Sequence, residues 1–254
     1  MTRTPLTRRK FVGATALTVL ASATVARARD LGVTIAEQPL SSWRIGLVQS
    51  APWDVDPARL QEDTTRNLER MLETIAREGR ECDWLAFNDC PLTGRAVSIM
   101  PSETQLAELR AAARKYSCAV SFGCGVDRQA VLIPADDSEV QYGSLVVLNG
   151  RRVAIVSTAL SNAEITQTMS AGAEALLIMG SGPNVASTRF TDVAADLHVP
   201  RLHVSAACDT HVPGHTPDWL GGTLACDAQG LQLGRLAHAD ETVLQLTLEF
   251  RGRA

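Results

Sequence analysis

The stretch CDWLAFNDCPLTGR, residues 82–95, sets a carboxylate, Asp89, beside a thiol, Cys90, where the apolar run Trp84-Leu85-Ala86-Phe87 breaks into a Pro-Leu-Thr-Gly turn. Loops opening from rigid strands are where binding and catalytic groups are carried. The chemistry on offer is acid–base or nucleophilic. A thiolate needs an electropositive surrounding to persist at neutral pH, and an adjacent carboxylate opposes that. The same holds for Cys208 beside Asp209. Both cysteines therefore read as packing or disulfide residues. Asp89 reads either as a base or as a loop carboxylate capping the turn, the second being the simpler.

A second cluster lies in Cys208-Asp209-Thr210-His211, with His215 and Asp218 following. Soft and hard donors in one loop suit a metal. Pro213 and Gly214 break the regular spacing, and the chain has no C-x-x-C pair, so no metal and no cofactor are expected. The six cysteines, Cys82, Cys90, Cys118, Cys124, Cys208 and Cys226, are widely spaced. An even number permits disulfides in an oxidising compartment. Several fall in apparent core strands, where a free buried thiol is the plainer reading.

The elements that must position these groups follow from periodicity. Residues 44–49 form an apolar strand. Leu60, Leu68, Met71, Leu72 and Ile75 then recur at helical spacing within 57–79, with Gly79 as the stop. Strand 84–87 comes next, then a helix over 103–116 with Leu106, Leu109 and Ala113 on one face. Residues 118–126, 130–133 and 142–148 read as consecutive strands. The second half continues with strand 153–156, helix 162–171, strand 175–179, helix 187–197 and strand 202–206. A hairpin pairs 222–226 with 231–236 through Asp227-Ala228-Gln229-Gly230, and a last strand spans 242–248. Alternating strands and helices with hairpins predict a layered α/β domain, helices packed outside mixed sheets.

The first 28 residues stand apart. Thr7-Arg8-Arg9-Lys10-Phe11 precedes an apolar, small-residue run over 12–25 and an Ala26-Arg27-Ala28 cleavage site. This is the pattern of a twin-arginine export signal, and the run is too short and too rich in Ala and Thr to span a bilayer. Residues 1–28 are thus expected to be removed, 29–42 to be a loose segment, and 43–254 to be a single domain working in the periplasm or outside the cell. Five of the 24 basic residues and none of the 28 acidic ones lie in the signal, so the mature chain carries 19 against 28, a net charge of −9. No basic stripe is left for nucleic acid, and an anionic membrane repels such a chain.

In order and spacing the mature chain resembles the nitrilase, or carbon–nitrogen hydrolase, superfamily from Arg44 to Glu249. RIGLVQSAPWDVD is similar to its first strand, and LAFNDCPLTGR to its strand ending in Phe-Pro-Glu followed by Leu-Thr-Gly. RQAVLIPADDSEVQY is similar to its Asn-Ser-Ala-Val-Leu-Ile-Asp hairpin. NGRRVAIVSTALSNAE resembles its nucleophile strand, AGAEALLIMGS its Gly-Ala-Glu-Leu-Leu element, and LGGTLACDAQGLQLGRLAHADETVLQLTLE its closing strands. The resemblance implies an αββα sandwich, homodimers that join two sandwiches, and hydrolysis of amides, nitriles or N-carbamoyl compounds by a Glu–Lys–Cys triad. In that triad the thiolate attacks, the Glu shuttles the proton and the Lys stabilises developing charge.

Each triad position departs from the pattern. The Glu falls on Asp89, one methylene shorter. The Lys falls on Ser144, and the mature chain has a single lysine, Lys115, in a helix. The link from Tyr142 to Ser157 is also shorter than the family's pocket-building connection. The Cys falls on Ser157, a register supported by Glu164 seven residues on. A serine needs a strong adjacent base to attack, so Ser157 reads as a degenerate nucleophile or as a structural serine at a strand end. Arg151 and Arg152 bring positive charge, though not in the shape of a lysine. Glu164, His211 and Trp219 are implied as pocket residues, the last two on a variable loop over the family's cleft. The expectation is an exported, homodimeric, nitrilase-like protein, impaired as a hydrolase, that holds a small amide, amine or carboxylate. The alternatives are an active amide or nitrile hydrolase using Ser157 and Asp89, and a structural subunit using the dimer face.

Overall fold

Two six-stranded sheets face each other, each with a parallel centre and antiparallel strands beside it. The computed structural model describes residues 41–51, 55–94, 99–125, 129–157, 162–180, 198–205, 222–236 and 241–250, and Ser42–Phe250 pack as one unit. The first sheet takes β1 (Ser41–Gln49), β2 (Trp84–Asp89), β3 (Ala119–Cys124), β4 (Gln129–Ile133) and β5 (Gln141–Tyr142), with β12 (Thr242–Phe250) outside β1. The second takes β6 (Leu145–Leu148), β7 (Arg151–Ser157), β8 (Ala175–Met179), β9 (Arg201–Val204), β10 (Leu224–Cys226) and β11 (Gln232–Arg235), in that order across the sheet. β1, β2 and β3 run parallel, as do β7, β8 and β9.

The side-chain alternation of the strands builds three cores. Ile45, Leu47, Trp84, Ala86, Val153, Ile155, Leu177 and Met179 point between the sheets, with the Trp43 ring tilted against Phe250 at 4.6 Å and edge-on to Trp84. The opposite set of the first sheet, including Val48, Leu85, Phe87, Val120 and Phe122, packs under α1 (Leu60–Glu78) and α2 (Glu103–Tyr116). Ala154, Val156, Leu176 and Ile178 of the second sheet pack under α3 (Asn162–Ser170). The layers are helix, sheet, sheet, helix, as expected of an αββα sandwich. Near-continuous apolar strands buried on both faces are what such layering requires.

One local expectation is corrected. Residues 142–148 are not one strand. Gly143 adopts φ 118°, and there the chain leaves one sheet for the other: the Gly143 amide donates to the Ala130 carbonyl in the first, and the Ser144 carbonyl accepts from Ile155 in the second. The Gly143-Ser144 pair marks the break, but strand character on both sides of it hid the change of sheet. Gly79 closes α1 as expected, at φ −64°. A Cβ there would lie 2.5 Å from the Ile75 carbonyl oxygen and 3.1 Å from Tyr116 Cβ; the glycine lets α1 end against the end of α2. The expected helix over 187–197 lies outside the described residues.

Candidate functional site

β2 carries the first half of the site. Along it Trp84 and Ala86 face the other sheet while Leu85 and Phe87 face the helices, and Asn88 follows within the register shift between Ala86 and Asp89. Its neighbour on β1 is Gln49, one step beyond the Val48–Phe87 pair. Gln49 Oε1 accepts from the amides of Gly222 and Thr223, at 2.9 and 3.0 Å, and so ties β1 to the lead-in of β10 in the opposite sheet. On its other side β2 bulges: Ala86 pairs with Ser121, but Asp89 pairs with Gly123. The extra residue returns Asp89 to the same face as Ala86. A Cβ on Gly123 would come within 3.2 Å of Asp89 Cβ and 3.4 Å of Met179 Cε. Asn88 and Asp89 are therefore consecutive polar residues at the end of β2, 0 % and 2 % exposed.

The turn after β2 fixes this pair. Cys90 holds the left-handed conformation, φ 54°, uncommon for a residue with a side chain. Its amide donates to the Gly123 carbonyl and its carbonyl accepts from Thr93 and Gly94. Asn67 of α1 donates to the Leu92 carbonyl at 2.9 Å from below.

The second half comes from β7 and β8. Val153 and Ile155 face the first sheet, and Ser157 continues that face at the end of β7, 3 % exposed. Ser157 pairs with Met179, whose thioether crosses to the Asp89–Gly123 position. The structure thus brings Asp89 and Ser157 to the same intersheet space at the carboxyl ends of parallel strands, the usual position for sites in open α/β sheets. Buried Ser205 and Thr223 add to this end of the sandwich, the Ser205 amide donating to Thr223 Oγ1.

Other sequence-derived residues are placed differently. Ser144 is half-buried at the sheet crossover, bonded by its carbonyl to Ile155, two residues along β7 from Ser157 and roughly 7 Å away. Glu164 is exposed in the first turn of α3, on the outer layer. His211 and Trp219, with Cys208, His215 and Asp218, lie outside the described residues. Among the described residues no group of three or more His, Cys, Asp or Glu could hold a metal ion, and no helix is long and apolar enough to cross a membrane.

Among the described residues, the three cations considered as replacements for the triad lysine are remote. Lys115 is exposed in the last turn of α2, its ammonium 5.2 Å from the Tyr116 ring. Arg151 pairs with Glu174 and lies over Phe250, and Arg152 donates to the Ala171 carbonyl. Both stand at the far end of β7, Arg151 about 20 Å of strand from Ser157. Cys82, Cys118, Cys124 and Cys226 are free and buried, and Cys90 is buried. Burial pushes the thiols of Cys82 up to about 11, and of Cys118 and Cys124 up to about 12, so these three are protonated and inert.

Sequence reasoning missed Asn88, Gln49 and Met179. Asn88 and Gln49 each end an apolar strand with an amide, which is a readable signal once both strands are seen to end side by side. Met179 looked like ordinary core.

No protein-family model matches the chain, and no characterised protein matches it in sequence. Solved structures do. A cysteine-to-alanine mutant of the Nesterenkonia AN1 amidase from the nitrilase superfamily superposes with a TM-score of 0.63 at 15% identity, over 82% of this chain and 90% of that one. A structure of the Nesterenkonia sp. AN1 amidase in complex with butyramide gives 0.64 at 16% identity, over 82% and 90%. A mutant of that amidase carrying the acetamide moiety of fluoroacetamide on its active-site cysteine gives 0.64 at 15%, over 87% and 93%. The likeness spans nearly the whole of those chains: this protein has the fold of the nitrilase-superfamily amidases.

Proposed function

We propose that the chain is an exported member of the nitrilase superfamily, impaired as a carbon–nitrogen hydrolase, that binds a small amide, amine or carboxylate between its sheets. One observation carries the reading. Asp89 and Ser157 both end buried strands, with Met179 between them beside Ser157 and near Asp89, while the sole lysine of the mature chain sits on the outer helix layer. Charge developing on a substrate oxygen has no ammonium to meet it, and the groups of such a triad act as a unit. The base that the resemblance offers Ser157 is one shortened carboxylate, Asp89, where a serine needs a strong one. The similar amidase structures hold butyramide and an acetamide moiety, which makes short aliphatic amides the first ligands to try.

The test is paired. Ammonia release is followed from a panel of amides, nitriles and N-carbamoyl amines, and thermal stability is followed with the same compounds. Ligand-dependent stabilisation without turnover is expected. Turnover abolished by Ser157→Ala would instead establish a serine hydrolase and overturn the impaired reading. The burial of Asp89 and Ser157 at neighbouring strand ends, with Met179 between them, is the observation favouring that second reading.

A further inference from the structure

The side chain of Asn88 is fully buried, and neither its Nδ2 nor its Oδ1 has a hydrogen-bond partner. Buried amides are almost always satisfied, so such a group points to something that completes it. Where the resemblance sets a proline, which offers no side-chain hydrogen bond, this chain sets a carboxamide. Asn88 directly precedes Asp89 at the end of β2, beside the end of β1, where Gln49 spans to Gly222 and Thr223 of the opposite sheet.

We propose that Asn88 is the recognition residue of the cleft, pairing through both amide atoms with a ligand edge that presents an N–H donor next to a carbonyl acceptor. This rests on the small-ligand reading above and narrows it. A carboxylate has acceptors only and would leave Oδ1 unmet; an ammonium has donors only and would leave Nδ2 unmet. A primary carboxamide satisfies both, as two amides pair edge to edge. The amide would be held by Asn88 whether or not it is ever cleaved.

Three probes of similar size separate the possibilities: butyramide, butyrate and butylamine, measured by thermal shift on the full mature protein. Butyramide alone is expected to stabilise the wild type. Asn88→Leu removes both polar atoms at similar volume, and Asn88→Asp replaces the donor with an acceptor in the same shape; each is expected to weaken butyramide binding roughly tenfold or more. If Asn88→Leu does not fold, Asn88→Asp carries the comparison. Undiminished butyramide binding in either variant would overturn the role of Asn88 while leaving the cleft a ligand site. Equal response to butyrate or butylamine would overturn donor–acceptor recognition. No response of the wild type to any probe would overturn both this inference and the small-ligand reading. A crystal soaked in butyramide that shows only ordered water on Nδ2 and Oδ1 would also overturn it.

Discussion

Gly123 is the residue on which the site geometry turns. It is the cross-strand partner of Asp89, and its missing Cβ leaves room for both Asp89 and the Met179 methyl. Gly123→Ala forces one of them to move. The expected cost is about 1–2 kcal/mol of stability, with loss of the butyramide-dependent shift, measured by thermal denaturation with and without ligand; retained ligand response would show that Asp89 is not held by this contact. His203 offers a second prediction at this scale. Burial drives its imidazole down to about 4, while its contact with the Gly222 carbonyl pulls the other way. Between its unfolded value of roughly 6.5 and 4, the unfolded chain binds the extra proton, so stability falls as pH drops through that window, by on the order of 3 kcal/mol in full. Urea midpoints at pH 7, 5.5 and 4.5 should show that slope in the wild type and a shallower one in His203→Gln. Equal slopes would assign the acid sensitivity to other groups.

At the scale of elements, the unprotected edge of the second sheet is managed by a side chain. β6 is a short apolar edge strand with Leu145 and Val147 exposed. Gln141, in β5 of the other sheet, donates to the Val147 carbonyl at 2.8 Å and accepts from its amide at 2.7 Å. Its carboxamide thus occupies the place an invading strand would take. Gln141→Ala should cost about 1 kcal/mol and produce concentration-dependent association visible by light scattering; unchanged monodispersity would show the edge to be protected otherwise. Much of this layer was legible in the sequence. The helix over 103–116 and the β10–β11 hairpin follow from apolar spacing and from turn residues, because each is decided by contacts local to its own segment. Asp89 and Ser157 were legible as a pair only through the family likeness. The bulge that turns Asp89 inward, the amide at Asn88 and the crossing at Gly143 were not legible. Each depends on which strand lies alongside, and periodicity within one strand carries no information about its neighbour.

At the scale of the molecule, the proposal is an exported homodimer with a mature net charge of −9. Native mass spectrometry of the protein recovered from the periplasm should show loss of residues 1–28 and twice the mature mass. A full-length monomer would contradict both parts. The crossing at Gly143 and Ser144 has a further consequence. The two sheets are each complete by their own ladders up to these residues, and the crossing joins them at one edge like a stitched binding. A longer segment spliced there need not unpick either ladder. Its entropic cost grows only slowly with length, by about 0.6 kcal/mol for each doubling. Nothing lies within 4 Å of a side chain built at Gly143, so there is space for the graft to leave the surface. The seam is therefore an engineering port: a lysine-bearing insert could be offered to the cleft from it, and regained turnover would measure how far this protein stands from an amidase.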